Sequence, residues 1–300
     1  MRNIQVAIPT YNRSDLLEKL LSTIPHDVKV SVSDNGSYTD EKLKTKYTNA
    51  TFISSPNVLG VFSNWNVAAK NATSEWVLIP SDDDLFYHNT FNVIDLYIKK
   101  YPNVDMLVFG HDTIDEYEVK KEGWSVKKEV LLECPMGFNL FKYGVDARMP
   151  AVVFKRSMLQ EMEYFDENFK LTSGDSDLIQ RVLLKGNVAV IPEKIAAYRV
   201  WNGALTHQKI ATKLWLTEID LWQSKIKVLG ENAFKEKGLN TLNFKSIKDE
   251  VYAQNLLAGL KKIRNSDGFL ACLRFIIENR YPFMAQFKTQ IIILKTILLG

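Results

Sequence analysis

Cysteine is scarce in this sequence: Cys134 and Cys272 are far apart and fit no zinc or redox spacing, which excludes a Cys-built metal knuckle or CxxC motif. Buried thiols in a reducing compartment are expected instead. Long apolar runs are missing too. The segment Phe287 to Leu299 is broken by Lys288 and Lys295 and falls short of the ~20 residues a membrane span needs. Met1-Arg2-Asn3-Ile4 passes straight into a strand-like segment without the basic and then apolar stretch of a secretory signal, so a cytoplasmic location is expected. Neither an internal repeat nor a low-complexity tract is present. What remains, 46% hydrophobic and 24% charged, excludes a mainly disordered or fibrous chain and suits one main domain with an appendage.

Strand and helix signals alternate through roughly the first two thirds. Strands are expected at Ile4–Ile8, Val28–Val32, Thr51–Ile53, Trp76–Ile79, Asp105–Phe109, Ala151–Phe154 and Val188–Ile191, the last stopping before Pro192. Helices are expected at Asp15–Thr23, Val61–Asn71, Thr90–Tyr101 and opening over Leu178–Leu184, and the polar stretch ending at Lys128 reads as a loop or hairpin. Such alternation implies an α/β fold with a mainly parallel sheet. From Thr206 onward the pattern is helical.

Three polar clusters each follow a hydrophobic strand: Pro9-Thr10-Tyr11-Asn12-Arg13, Ser33-Asp34-Asn35-Gly36-Ser37 and Ser81-Asp82-Asp83-Asp84. In open parallel sheets ligands bind beyond the carboxyl ends of the strands, so the clusters are expected to converge. Consecutive aspartates repel one another unless a cation neutralises them. A hard divalent ion, Mg²⁺ or Mn²⁺, would use one or two of these carboxylates and draw its other ligands from a diphosphate. A solvated acidic turn or helix N-cap is the alternative reading.

These clusters, with Asn57-Val58-Leu59-Gly60, Asn64-Trp65-Asn66, Gly174-Asp175-Ser176-Asp177-Leu178 and Tyr198-Arg199, resemble in order and spacing the family-two glycosyltransferases of the GT-A (Rossmann-like, nucleotide-diphospho-sugar transferase) fold. The resemblance covers roughly residues 1–206. It implies a catalytic domain over residues 1–205, with a nucleotide-sugar half to about residue 110 and an acceptor half over 111–205, and a helical region over 206–300.

Carried over, it places Pro9, Thr10, Tyr11, Arg13, Asp34, Asn57, Asn66, Asp82 and Asp83 around the nucleotide sugar. Thr10 and Tyr11 would line the base, and Asp34 would accept a hydrogen bond from a ring N–H, which favours UDP. Arg13 and Asn66 would lie near the ribose or phosphates, and Asp83 near the ribose or sugar. Asp82 and Asp84 would form the Asp-X-Asp element on the metal. Asp175 matches the general base that deprotonates the acceptor hydroxyl in an inverting transfer, and Asp177 serves either as an acceptor contact or as the acidic first turn of its helix. Relatives often carry a histidine shortly after the Tyr-Arg pair, where this chain has Trp201. His207 is the nearest substitute as a metal ligand, although a lone histidine is more often a surface residue. Between the acidic cluster and Asp175, Trp124 and Arg148 are candidates for the acceptor, with core packing the simpler role for any one ring.

The charge is uneven: residues 1–200 carry 23 Lys and Arg against 27 Asp and Glu, whereas residues 201–300 carry 15 against 8. That basic, apolar C-terminal region could dock on its own domain, pair two chains as a homodimer, or lie peripherally on the cytoplasmic face of an inner membrane where lipid-linked acceptors reside. Nucleic acid is not an expected partner, because the basic residues form no recognition motif. By resemblance the setting is surface polysaccharide synthesis, such as O-antigen, capsule or lipooligosaccharide. Rival readings are a nucleotidyltransferase, which normally carries a Gly-rich basic phosphate loop that Pro9 to Arg13 does not match, and a non-catalytic protein of the same fold that binds sugar nucleotides or glycans.

Overall fold

A computed structural model describes residues 2–201 and 212–298. The strands are β1 (Ile4–Thr10), β2 (Lys29–Asn35), β3 (Ala50–Ser55), β4 (Trp76–Leu78), β5 (Leu85–Phe86), β6 (Met106–Ile114), β7 (Lys120–Lys121), β8 (Val130–Leu132), β9 (Val152–Lys155) and β10 (Val188–Arg199). The helices are α1 (Ser14–Ser22), α2 (Glu41–Lys46), α3 (Val61–Lys70), α4 (Thr90–Lys100), α5 (Arg156–Glu161), α6 (Gly174–Lys185), α7 (Lys213–Glu236), α8 (Phe244–Glu278) and α9 (Phe287–Leu298).

One sheet carries the order β3-β2-β1-β4-β9-β6-β10-β5, with β7 on β6 and β8 on β10. Strands β3, β2, β1 and β4 run parallel, as do β6 and β10, while β9 lies antiparallel between β4 and β6. The sheet is thus mostly parallel among its long strands. Side chains alternate between its faces, as the period of two requires. Ile4, Val6 and Ile8 of β1 enter one core with Leu17, Leu20 and Phe91, whereas Ala7 faces the other core with Phe62, Val182 and residues of α7 to α9. Layers on both faces explain why β1 is buried along its whole length.

The expected elements fall close to the observed ones, and the polar stretch before Lys128 forms the hairpin of the two alternatives, β7 against β6. The short elements β5, β8, α2 and α5 lie outside the expected set. Strand β10 does not stop at Pro192 but runs to Arg199, because the irregularity in its pairing with β6 between Ile191 and Lys194 absorbs the proline, which cannot donate to a ladder. Of the two thiols Cys272 is buried, but Cys134 is only half-buried.

The last third does not stand apart. Trp215, Ile226, Leu256 and Ile293 join the same hydrophobic cluster as Val77, Val108 and Phe154 of the sheet. Among the described residues no helix is long and apolar enough to cross a membrane.

Candidate active site

Because β2, β1 and β4 are parallel neighbours, their carboxyl ends open on one edge of the sheet. Chain order reverses between β1 and β4, with β2 on one side of β1 and β4 on the other, and a crevice forms at such a switch point. Thr10 at the end of β1 and Asp82 behind β4 meet there: the Thr10 hydroxyl donates to Asp82 Oδ2 at 2.7 Å. Arg13 then bridges two aspartates, with Nη2 at 3.0 Å from Asp82 Oδ1 and Nη1 at 3.0 Å from Asp83 Oδ2.

The three consecutive carboxylates have different surroundings. Asp83 Oδ2, besides meeting Arg13, accepts from the Trp201 indole N–H at 3.3 Å. Asp84 is turned inward, where Oδ2 accepts from the Ser81 amide at 2.9 Å and Oδ1 from the Arg199 amide at 3.2 Å. Those bonds tie the acidic turn to the end of β10. Arg199 completes the tie by donating from Nε to the Asp83 carbonyl at 2.8 Å.

Burial, relieved in part by Arg13, pushes the Asp82 carboxyl up to about 6. Burial and then the neighbouring Asp83 push Asp84 well above the usual carboxylate range. Carboxyls with so little counter-charge are ones that a cation would draw back into the ionised form. Among the described residues no three acidic, histidine or cysteine side chains converge into a ready-made metal cage. The donors fit a hard divalent ion that takes a carboxylate or two from the protein and oxygens from a bound diphosphate.

A cavity of about 680 Å³ opens on this edge, in the range that holds a small organic ligand. Pro9, Thr10, Tyr11, Arg13, Asp83, Asp84, Arg148 and Asp175 of the expected residues line it. Tyr11 is half exposed and meets Tyr38 edge-on, with ring centroids 5.5 Å apart. Asp175 lies in the first turn of α6, half-buried, with one oxygen accepting from the Ser176 amide at 2.7 Å. Arg148 sits over the Tyr198 ring at 5.5 Å. Burial, followed by Asp84, pushes the Tyr198 hydroxyl up to about 12, so it stays protonated at neutral pH.

Other expected residues do not form the cavity wall. Asp34 is fully buried, and its oxygens accept from the Tyr38 amide at 2.9 Å and the Thr39 amide at 3.1 Å, shaping the loop that carries Tyr38. Asn57 is exposed beside the wall residue Val58. Asn66 is used up as a peg: it donates to the Phe165 carbonyl at 2.9 Å and Glu167 at 2.8 Å and accepts from the Phe165 amide at 3.0 Å. Asp82 lies behind the wall. Trp124 packs on Phe141 at 5.3 Å, a place in the core and not at the cavity. Asp177 points away from the cavity into an ion-pair network with Arg181 at 2.7 Å and Lys225 at 3.1 Å, since two residues along a helix turn the side chain to another face. His207 lies outside the described residues.

Several contributors carried no assigned role. Asn64 lines the cavity and braces two strand ends, accepting from Ser33 at 2.6 Å and donating to the Thr10 carbonyl at 3.3 Å. Glu218 of α7 is buried, and its carboxylate accepts from the amides of Lys170 at 2.7 Å, Leu171 at 3.1 Å and Thr172 at 2.8 Å. Those residues lead directly into Ser173 and Asp175. Asn64 belongs to the Asn64-Trp65-Asn66 run that carries part of the resemblance, though without a role of its own there; a lone glutamate in a helical third gives no such signal.

The family model described as Glycosyl transferase family 2 matches residues 5–150, which span β1 and the acidic turn. Residues 5–150 form a glycosyl transferase family 2 domain. The chain is 28% identical over 122 residues to the uncharacterized glycosyltransferase MG060 of Mycoplasma genitalium, a match that takes in 36% of this chain and 41% of that protein. The chain thus spans less than half the length of this relative.

Solved structures share the fold over much more of the chain. The family 2 domain and its C-terminal helices are similar to S. aureus TarS 1-349 in complex with UDP-GlcNAc, with a TM-score of 0.63, 19% identity, and coverage of 92% of this chain and 80% of that one. A mannosyltransferase, PcManGT from Pyrobaculum calidifontis in complex with GDP-Man and Mn²⁺, matches with a TM-score of 0.55 and 15% identity over 98% of this chain and 85% of that one.

Proposed function

We propose that this chain is a metal-dependent, inverting glycosyltransferase that moves a hexose or N-acetylhexosamine from a UDP-sugar to a glycan or lipid-linked sugar acceptor. The observation that carries this reading is a single cavity that takes Asp83 and Asp84 from behind β4 and Asp175 from the start of α6. UDP-GlcNAc in the TarS complex and GDP-Man with Mn²⁺ in the mannosyltransferase complex support a nucleotide-sugar donor and a divalent ion. UDP is favoured by the UDP-GlcNAc held in the TarS complex; Asp34, buried and bonded to the Tyr38 and Thr39 amides, would serve the base by fixing the loop that carries Tyr38.

In this reading the exposed Tyr11 ring stacks on the base, and Arg13 holds Asp83 against the donor while adding positive charge near the phosphates. Mg²⁺ or Mn²⁺, when bound, would neutralise the departing diphosphate. Asp84 on the cavity wall would hold it, with Asp82 behind. Asp175 takes the proton from the acceptor hydroxyl as that oxygen attacks the anomeric carbon. The new C–O bond forms on the face opposite the leaving diphosphate, so the configuration inverts. The N-terminal turn of α6 fixes the carboxylate for this step. Residues 1–110 would form the nucleotide-sugar half and 111–205 the acceptor half, in a cytoplasmic enzyme of surface polysaccharide assembly.

Calorimetric titration with UDP, with and without Mn²⁺, tests the donor. Absence of binding in both conditions would sink the reading. Asp84→Asn is expected to abolish the Mn²⁺-dependent part of binding. Asp175→Asn is expected to leave UDP binding intact and lower turnover by about 10²–10⁴-fold, as for loss of a general base. Normal turnover by that variant would refute the role of Asp175.

A further inference from the structure

The final helices are apolar on two opposite faces. In α9, Thr289, Ile293 and Ile297 are buried against the protein, while Phe287, Ile291, Leu294 and Leu298 form a second stripe at the i, i+4, i+7, i+11 spacing. Phe287 is 79% exposed and Leu298 is 64% exposed, so that stripe has no cover among the described residues. The end of α8 repeats the arrangement. Cys272 and Phe275 are buried, whereas Leu270 and Ile277 on the opposite side are 77% and 83% exposed. A helix apolar all round is normally covered on all sides.

The outward stripes are built in, not frayed. Gly268 has φ 79° and ψ −165°, a left-handed conformation open to glycine, and it breaks α8 there. The Cys272 thiol consequently reaches the Leu260 carbonyl at 3.7 Å, although twelve residues of straight helix would separate them by about 18 Å. Two buried acids pin the connection to α9. Asp249 accepts from the Met284 amide at 2.8 Å, and Glu250 accepts from the Gln286 amide at 2.8 Å and the Thr289 hydroxyl at 2.7 Å. Phe283, 78% exposed, is held on that pinned turn four residues before Phe287.

Charge selects the cover. Residues 269–298 hold Arg274, Arg280, Lys288 and Lys295 against Glu278; Arg274 pairs with Glu278 and Arg280 with Asp249, whereas Lys288 and Lys295 are exposed next to the stripe with no acidic partner among the described residues. A second copy of this surface would bring like charges together, whereas anionic lipid headgroups would complement them. We infer that the outer faces of residues 269–298 seat the protein on an anionic bilayer surface, with the Phe287 stripe in the acyl boundary and Lys288 and Lys295 at the headgroups. This interfacial mode needs no spanning helix.

The test is vesicle flotation of the full chain without donor or acceptor, so its outcome is independent of the proposed transfer reaction. The wild type should float with vesicles of equal parts phosphatidylglycerol and phosphatidylethanolamine, float poorly with pure phosphatidylcholine, and be released by salt. Phe287→Gln with Leu294→Gln, and separately Lys288→Glu with Lys295→Glu, should each weaken partitioning by about tenfold while unfolding at the wild-type temperature. Failure of the wild type to float would overturn the inference, as would binding that ignores lipid charge. A dimer of the wild type in sedimentation that the Phe287→Gln, Leu294→Gln variant returns to monomer would assign the stripe to a second copy instead.

Discussion

Asp175 and Asp177 stand two positions apart in the first turn of α6, and the helical rotation sends one to the cavity and the other into the protein. Asp177 is fully buried, and Arg181 and Lys225 are its counter-ions. Removing one partner from such a buried network leaves an uncompensated charge, so Asp177→Ala should cost roughly 3–5 kcal/mol of stability in urea unfolding. A variant of unchanged stability but weakened acceptor binding would restore the acceptor role instead. The three aspartates behind β4 make the same point. Their spacing announces acidity at a strand end, but the backbone N–H groups around Asp84 and the guanidinium beside Asp82 decide what each oxygen meets.

Elements far apart in sequence position the site. The loop into α6 is held by three amides donating to Glu218 of α7, a residue 43 positions beyond Asp175 in the chain. Glu218→Ala should loosen that loop and lower turnover by roughly 10–100-fold while leaving UDP affinity nearly unchanged, with Glu218→Gln recovering part of the loss. Equal loss of UDP affinity would point to general unfolding and not to loop positioning. Sequence periodicity located α6 and the helical third well, because apolar spacing is local information. It could not show Glu218 as a brace, since a carboxylate on a helix looks the same whether it meets water or three backbone amides. Pro192 likewise suggested a strand end, and the pairing of β10 with β6 overrode it.

At the scale of the whole molecule, the sheet buries titratable groups that the cavity does not use. His111 of β6 is almost fully buried, and burial, with Arg148 nearby, brings its imidazole down to about 4. The folded state therefore keeps His111 neutral while the unfolded state protonates near 6.5. Its contribution is complete above pH 6.5 and is lost as pH falls toward 4, on the order of 2–3 kcal/mol. Thermal unfolding across that range should show the decline, and His111→Gln should flatten it; an unchanged slope would exclude His111 as its source. Burial alone would raise its neighbour Asp112, but hydrogen bonds from Lys194, Tyr87 and Lys120 outweigh it and hold the carboxyl well below the usual range. That second contribution is lost only at still lower pH. By itself the sequence determined the alternation of strands and helices, the polar strand ends and the resemblance they carry, because these depend on residue type and short spacing. Only the tertiary structure decided that β9 lies antiparallel between β4 and β6, that Asn66, Trp124 and Asp177 serve packing and not the cavity wall, and that the last two helices leave an apolar face uncovered. Those outcomes depend on which distant segments share a face, and strand and helix periods specify only that a face exists.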